Sequence, residues 1–216
     1  MTCEHALPRG LSLASGRRQL FLTAAPLFLI TLFPQFAFGH VEEGSASGFL
    51  SGLLHPIMGP DHLVAMVAVG LWGAQLGAPA IWVLPVVFPV VMAVGGLLGV
   101  FGIPLPFIEI GIAASALLLG VAVAARYRAG IAVTAVLVGI FAIFHGHAHG
   151  TELPSSANAL SYGVGFVMST GLLHLAGILM GTLMRWPAGA VAVRSCGALI
   201  ALTGAYYLAA ATGMLA

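Results

Sequence analysis

Charge is scarce in this sequence. Of its 216 residues only 6% are Asp, Glu, Lys or Arg, and 60% are hydrophobic. Charged residues make up roughly 25% of an ordinary soluble domain. This composition argues against an aqueous globular fold and predicts an integral membrane protein.

Lysine is absent altogether, and cysteine is nearly so. Without lysine the chain contains no Gly-Lys-Ser/Thr loop of the Walker A type, so it does not hydrolyse ATP by that route. Seven scattered arginines and a net charge of +1 offer no basic patch for nucleic acid. The two cysteines, Cys3 and Cys196, are too few for a disulfide framework or a thiolate metal cage. We expect Cys196 to be a small packing residue.

The N-terminal residues have the features of an export signal. Three arginines precede an apolar run over 20–36, and Ala37-Phe38-Gly39 then places small residues at the positions that signal peptidase inspects. We predict a signal peptide over 1–39 that is cleaved before His40. An uncleaved first membrane helix is the alternative, because the run is long for a signal peptide.

After residue 40 the chain contains six apolar runs long enough to cross a bilayer, which takes about 20 helical residues. Short connections with glycine and proline separate the runs and leave no room for a soluble domain. We therefore predict an all-α, six-helix transmembrane bundle that forms a single domain over 40–216. The runs lie at 45–76, 80–101, 107–125, 129–149, 159–184 and 190–213.

The positions of the arginines predict the orientation, because positively charged connections tend to stay in the cytoplasm. In the mature chain the arginines lie beside the third-to-fourth and fifth-to-sixth connections, at Arg126, Arg128, Arg185 and Arg194. This places the mature N-terminus outside a bacterial inner membrane, in agreement with an export signal.

Glycines recur four residues apart in several runs, as at Gly95 and Gly99 and at Gly146 and Gly150. In lipid, helices associate through close van der Waals approach, and rows of small residues permit it. The spacing predicts a tightly packed bundle.

Ionisable residues within membrane spans are costly and are therefore functional candidates. The first run contains His55, Asp61 and His62. On a continuous helix the two histidines would lie about 10 Å apart along the axis, too far to hold one ion. Pro56, Gly59 and Pro60 predict that the helix breaks between His55 and Asp61. Broken spans line polar cavities, and in secondary transporters they commonly form the ion site near the midplane.

A second group of histidines ends the fourth run. His145 and His149 are four residues apart and share one helical face, whereas His147 points away unless the helix has already ended. Imidazoles with one carboxylate and no thiolate suit Ni²⁺, Co²⁺ or Zn²⁺ better than Cu⁺ or Mg²⁺. We predict that the two groups meet in the outer half of the bundle and bind such an ion. Weaker candidates, for which a structural role has comparable weight, are His40, Glu109, His147 and His174.

These residues resemble the HupE/UreJ family, membrane proteins associated with hydrogenase and urease maturation and regarded as nickel or cobalt permeases. The matching motifs are His55-Pro56-Ile57-Met58-Gly59-Pro60-Asp61-His62 and Phe144-His145-Gly146-His147-Ala148-His149-Gly150, and the similarity extends from His40 to the last run. The resemblance implies that the first motif supplies an essential histidine-aspartate-histidine signature. It also implies that His145 and His149 form a second histidine motif, and that Glu152 is a further family position.

Residues and resemblance together predict a permease and not an enzyme. We expect a secondary transporter that imports Ni²⁺ or Co²⁺ across the inner membrane for metalloenzyme maturation, with the ion as substrate and no bound cofactor. The expected partners are the ion and membrane lipid, with a functional link to hydrogenase or urease maturation.

Two other functions stay open. One is a membrane-embedded hydrolase in which a His/Asp zinc centre activates water. Against it, the sequence shows no separate acid or base such as the Glu of His-Glu-x-x-His, and no soluble loop for a substrate. The other is the substrate-binding subunit of a multicomponent metal importer whose ATPase is a partner chain.

Overall fold

The computed structural model describes residues 45–153 and 158–215, and every regular element in these two stretches is helical. The predicted signal peptide, its cleavage site and His40 lie outside the described residues. A short 3-10 helix, Thr182–Arg185, follows the sixth α-helix. The α-helices are α1 (Ser45–Met58), α2 (Pro60–Leu76), α3 (Ala80–Val100), α4 (Ile108–Ala124), α5 (Ile131–Thr151), α6 (Ala159–Gly181) and α7 (Pro187–Ala211).

Several of these helices have the length and apolar character of membrane spans. Four of them, α3, α5, α6 and α7, are long enough to cross a bilayer, and the pair α1–α2 makes a fifth candidate. Helix α4 is apolar but has only 17 residues. The chain is thus an all-helical, multi-pass membrane protein over its described residues, and the count of six spans stays a prediction that depends on α4.

The first predicted span consists of two helices that meet at Gly59. α1 ends at Met58, α2 begins at Pro60, and their axes differ by 81°. Pro60 has no amide hydrogen to continue α1, and its ring holds the preceding residue away from helical dihedrals. Gly59 accordingly has φ −92° and ψ 105°. The predicted break between His55 and Asp61 is confirmed.

Glycines allow the helix backbones to touch, so the predicted tight packing is confirmed. The contacts also give helix directions: the pair α1–α2 runs parallel to α6, α3 runs parallel to α5, and α4 runs antiparallel to α7. If the chain crossed the membrane six times in order, the same helix pairs would be parallel or antiparallel as they are here. The contacts are Gly52 on Tyr162 and Gly70 on His174, Gly95 on Ile143 and Gly99 on His147, and Gly197 on Ala124 and Gly204 on Leu117.

The bundle has two distinct ends. One contains Glu152, which caps the C-terminus of α5, and we name it the Glu152 end. At the opposite end Trp72 Nε1 donates to the Tyr127 carbonyl at 3.0 Å, and Arg194 Nε donates to the Ala124 carbonyl at 2.9 Å. We name this the arginine end. These two bonds tie α2 and α7 to the end of α4.

We expect Gly146→Ala to destabilise the contact between α3 and α5. A Cβ at Gly146 would overlap the Met92 carbonyl oxygen. Because backbone atoms yield little, the two helices would have to separate, at a cost of about 1–3 kcal/mol. Thermal unfolding of the detergent-purified protein, followed by circular dichroism, should show a lower midpoint.

Gly171→Ala is the matched control within α6. A Cβ at Gly171 meets no described atom within 4 Å, so its midpoint should stay at or slightly above that of the unmodified protein, since alanine favours helix. Equal midpoints for the two variants would contradict the packing argument.

Candidate functional site

Four imidazoles meet in the half of the bundle nearest the Glu152 end. The bend at Gly59 brings His55 and His62 to the same side, and α5 presents His145 and His149 toward them. Ring centroids are 4.7 Å apart for His55 and His149, 4.4 Å for His149 and His62, and 4.7 Å for His62 and His145. We name these four residues the histidine cluster. The structure thus brings together the two groups that the sequence placed in separate runs.

Asp61 orients His62. Its Oδ1 atom accepts the backbone amide of His62 at 2.9 Å and lies 3.0 Å from the His62 ring Nδ1. Because a carboxylate only accepts, Nδ1 carries the hydrogen, and Nε2 is left with its lone pair. His62 Nε2 is buried and has no hydrogen-bond partner among the described residues. A carboxylate that fixes a histidine tautomer in this way is typical of metal-binding histidines.

Ser115 of α4 orients His145 in the same manner. The Ser115 hydroxyl donates to the Ile112 carbonyl at 2.6 Å, and His145 Nε2 lies 2.8 Å from its oxygen. Since the hydroxyl hydrogen is already used, His145 Nε2–H is the donor and Nδ1 has the free lone pair. This Nδ1 is also buried and without a partner in the described part of the chain.

The edge of the cluster nearest the Glu152 end contains a second possible ligand set. Glu152 Oε2 is 3.2 Å from His55 Nε2 and 3.9 Å from His149 Nδ1. One ligand atom from each of these three residues falls within 4.8 Å of the others, a spacing that one metal ion could span after small adjustments. The hydrogen bond from His55 holds the pKa of the Glu152 carboxyl below its usual value, while partial burial opposes the shift. Glu152 is therefore a carboxylate at neutral pH.

Burial differs across the site. The side chain of Glu152 is 54% exposed, that of His55 32%, and that of His62 12%. His149 is 5% exposed and His145 fully buried. The exposed fraction of the side chains thus decreases from Glu152 to His145, so a ligand would enter from the Glu152 end.

The three weaker candidates within the described residues, His147, Glu109 and His174, lie apart from the cluster. His147 turns away, as expected for a residue two positions from His145 and His149, and its Nε2 donates to the Ile103 carbonyl at 2.7 Å. Glu109 is exposed in the first turn of α4. His174 is buried behind Phe88, whose ring centroid lies 5.4 Å from that of His174 and 5.5 Å from that of His145.

Aromatic rings wall the cluster. Phe166 of α6 packs against His149 with 4.2 Å between ring centroids, and Tyr162 lies 5.9 Å from His55. Beyond these rings, an apolar groove of about 720 Å³ runs between α3, α5 and α6 and reaches His149. Because its lining offers almost no polar atoms, a hydrated cation would lose its water there without replacement. The groove suits hydrocarbon better than an ion.

Sequence reasoning missed Ser115 and the ring of Phe88. A lone serine in an apolar helix more often bonds its own backbone, as Ser115 also does. Only the contact between α4 and α5 shows that its oxygen faces a histidine. One signal was present, since Ser115 is the polar residue in the otherwise apolar stretch that follows Glu109 in α4.

We expect Ser115→Ala to weaken metal binding by about tenfold, because outer partners of ligating histidines typically contribute roughly 10–100-fold to affinity. The alanine leaves His145 free to rotate and to change tautomer. Equilibrium dialysis of the purified protein against Ni²⁺ would measure the loss.

Thr203→Ala is the matched control for Ser115→Ala. It removes a hydroxyl of α7 that bonds only within its own helix, to Leu199 at 3.0 Å. Its affinity should be unchanged. An affinity of Ser115→Ala equal to that of the control would mean that Ser115 does not orient a ligand.

Comparison with known proteins gives two matches. A family model described as HupE / UreJ protein matches residues 28–207, a range that contains both histidine motifs. A curated relative from Rhizobium leguminosarum bv. viciae, described as Protein HupE, is 46% identical over 175 residues, which is 81% of this chain and 91% of the relative. No solved structure matches the chain.

Proposed function

The chain belongs to the HupE/UreJ family, and on that premise we propose that it is a permease that imports Ni²⁺, or Co²⁺, as its substrate. The proposed direction is from outside a bacterial inner membrane to the cytoplasm, where the ion serves metalloenzyme maturation. The family association with hydrogenase and urease accessory functions supports this metal class.

One observation carries the proposal: buried imidazole nitrogens converge without partners. His62 Nε2, His145 Nδ1 and both ring nitrogens of His149 make no hydrogen bond to any described residue. A buried polar atom without a partner costs about 1–3 kcal/mol. A borderline divalent ion that accepts these lone pairs removes the cost, and metal–imidazole bonds of about 2.0–2.1 Å would draw the rings inward from their present contacts.

The charges of the site match a divalent cation. With neutral imidazoles, the carboxylates of Asp61 and Glu152 give the site a formal charge of −2. A +2 ion would neutralise it, which matters because uncompensated charge at membrane depth is strongly unfavourable. Asp61 acts through His62 in this arrangement, and Glu152 faces the ion directly.

The proposed path begins at Glu152, which is exposed and replaces part of the water shell of the arriving ion. His55 and His149 pass the ion inward to His62 and His145. Release requires these bonds to weaken, and protonation of the imidazoles is the proposed trigger, because a protonated imidazole has no lone pair for a metal. In the proposed topology α4 crosses as the third of six spans, the Glu152 end lies outside, and the arginine end lies in the cytoplasm.

Uptake into proteoliposomes that contain only this protein tests the proposal. Radiolabelled Ni²⁺ should accumulate inside above the level of empty liposomes, and unlabelled Co²⁺ should compete with it more strongly than Mg²⁺ does. Entry no faster than in empty liposomes would overturn transport by this chain alone and would favour a subunit of a multicomponent importer.

The apolar groove beside His149 favours a second candidate, the membrane-embedded hydrolase. A lipid-like substrate could lie in that groove with its polar end at a metal-bound water. Metal-dependent turnover of a lipid ester or amide by the purified protein, without uptake in liposomes, would support this candidate over the permease.

A further inference from the structure

His174 is a buried polar residue that the proposed site does not use. It lies in α6 with 1% of its surface exposed, and neither ring nitrogen makes a well-formed hydrogen bond to any residue the structure describes. It lies closer to the arginine end than the histidine cluster does. Phe166, which packs on His149, is eight residues earlier in the same helix, about 12 Å along its axis.

Phe88 separates His174 from the cluster. Its ring has edge-to-face contacts with both imidazoles, at 5.5 Å from His145 and 5.4 Å from His174 between centroids. The phenyl ring is itself fully buried. A rotation of this one side chain would bring the two histidines into a common space.

Two oxygen atoms accompany His174. The Pro85 carbonyl of α3 faces its ring. That carbonyl lacks the usual donor in its own helix, because the residue four positions later is Pro89, which has no amide hydrogen. Thr170 lies one turn before His174 on the same face of α6, and its hydroxyl is buried and makes no hydrogen bond within the described stretches.

We propose that His174, the Pro85 carbonyl and the Thr170 hydroxyl form a second cation-binding station on the far side of Phe88 from the histidine cluster. One imidazole nitrogen and two neutral oxygens suit the same borderline divalent ion, and they bind it more weakly than the histidine cluster does because no carboxylate offsets its charge there. A weaker inner station lets the ion leave the cluster and move on. Its part in transport rests on the proposed function, whereas its ability to bind an ion does not.

A further buried polar residue, Gln75, lies between the station and the arginine end. The side chain of Gln75 in α2 is 6% exposed, and both its amide atoms lack partners among the described residues. It lies five residues beyond Gly70, which contacts the His174 carbonyl, so it is about 7.5 Å farther along α2. A further oxygen ligand therefore follows His174 in the direction of proposed release.

Metal counting tests the station without reference to transport. Equilibrium dialysis of the detergent-purified full chain against Ni²⁺ should give about two ions per chain, and His174→Ala should lower the count to about one. In a background without the histidine cluster, in which all four of its histidines are alanine, the ligand-field absorption of added Co²⁺ should come from the station and should disappear with His174→Ala. Equal counts with and without His174, or a Co²⁺ spectrum unchanged by His174→Ala, would overturn the station.

Transport kinetics test its place on the path. In proteoliposomes His174→Ala should lower the maximal Ni²⁺ uptake rate by at least about tenfold and leave the external concentration for half-maximal uptake within about twofold, because outer capture is intact. His174→Phe keeps an aromatic ring of similar size but has no ligand atom, so its uptake should fall as far as that of His174→Ala. Full uptake by either variant would overturn the station's place on the path.

The two measurements separate the proposals. If the unmodified protein binds two ions but transports none, the permease proposal fails and the station stands. If it transports Ni²⁺ and His174→Ala changes neither count nor rate, the station fails and the permease stands. Circular dichroism of each variant confirms its fold.

Discussion

His62→Ala and Asp61→Asn are each expected to reduce Ni²⁺ uptake by about 10–100-fold while the protein still reaches the membrane. The His62 ring touches both His145 and His149 of α5, so its loss removes the centre of the cluster. Asp61→Asn keeps the shape of the side chain but removes the charge that fixes the His62 tautomer and offsets the ion. Radiolabelled Ni²⁺ uptake by cells, with an immunoblot of the membrane fraction, measures both quantities.

His147→Gln is the control for these variants. It removes a histidine of the same motif, but one whose Nε2 atom donates to Ile103 and does not join the cluster. Glutamine retains an amide donor for that carbonyl, so uptake should stay within about twofold of normal, as expected of a change outside the ligand set. Normal uptake by both His62→Ala and Asp61→Asn would contradict the assignment of the histidine cluster as the ion site. Equal loss in all three variants would point to general destabilisation of the bundle.

Several features of this site followed from sequence because they depend on local backbone rules. A proline restricts the residue before it, so Gly59-Pro60 located the bend. The helical period put His145 and His149 on one face and turned His147 away. Each of these needs only residues a few positions apart.

Other features depend on contacts between distant parts of the chain, which one sequence does not contain. His55 and Glu152 are almost 100 residues apart, and their side chains meet because α1 and the end of α5 reach the same end of the bundle. The role of Ser115 depends on the rotation of α4 against α5. The sequence placed Asp61 in the group expected to bind the ion, and the structure adds that its carboxylate fixes the tautomer of the neighbouring His62 ring.

The membrane spans also combine a feature that the sequence predicted with one that it did not. Composition located all six apolar runs to within a few residues of the observed helices. It did not predict that the run at 107–125 would yield only 17 helical residues. At about 1.5 Å per residue such a helix is about 26 Å long, somewhat short of the usual hydrocarbon thickness. Its antiparallel contact with α7 agrees with a span, although its length alone does not identify it as one.

The bend at Gly59 is predicted to be as important as the ligands themselves. In the double variant Gly59→Ala/Pro60→Ala, a continuous helix through residues 55–62 becomes more favourable by about 4 kcal/mol, the summed propensity difference between Gly-Pro and Ala-Ala. His55 and His62 would then lie about 10 Å apart along one axis, and only one of them could remain at α5. We expect uptake to fall to the level of His62→Ala, although every ligand is present.

Pulsed electron paramagnetic resonance measures the bend directly, with nitroxides at Leu50 and Ala78 in a cysteine-free background. The segment lengths and the 81° bend give about 32 Å between these positions. A straight helix would give about 42 Å, and the double variant should move toward that value. Pro187→Ala is the control, because a proline at the first position of α7 interrupts no helix. Full uptake by a double variant that shows the longer distance would mean that the ion site does not need the bend, because it would then bind with His55 and His62 on one straight helix.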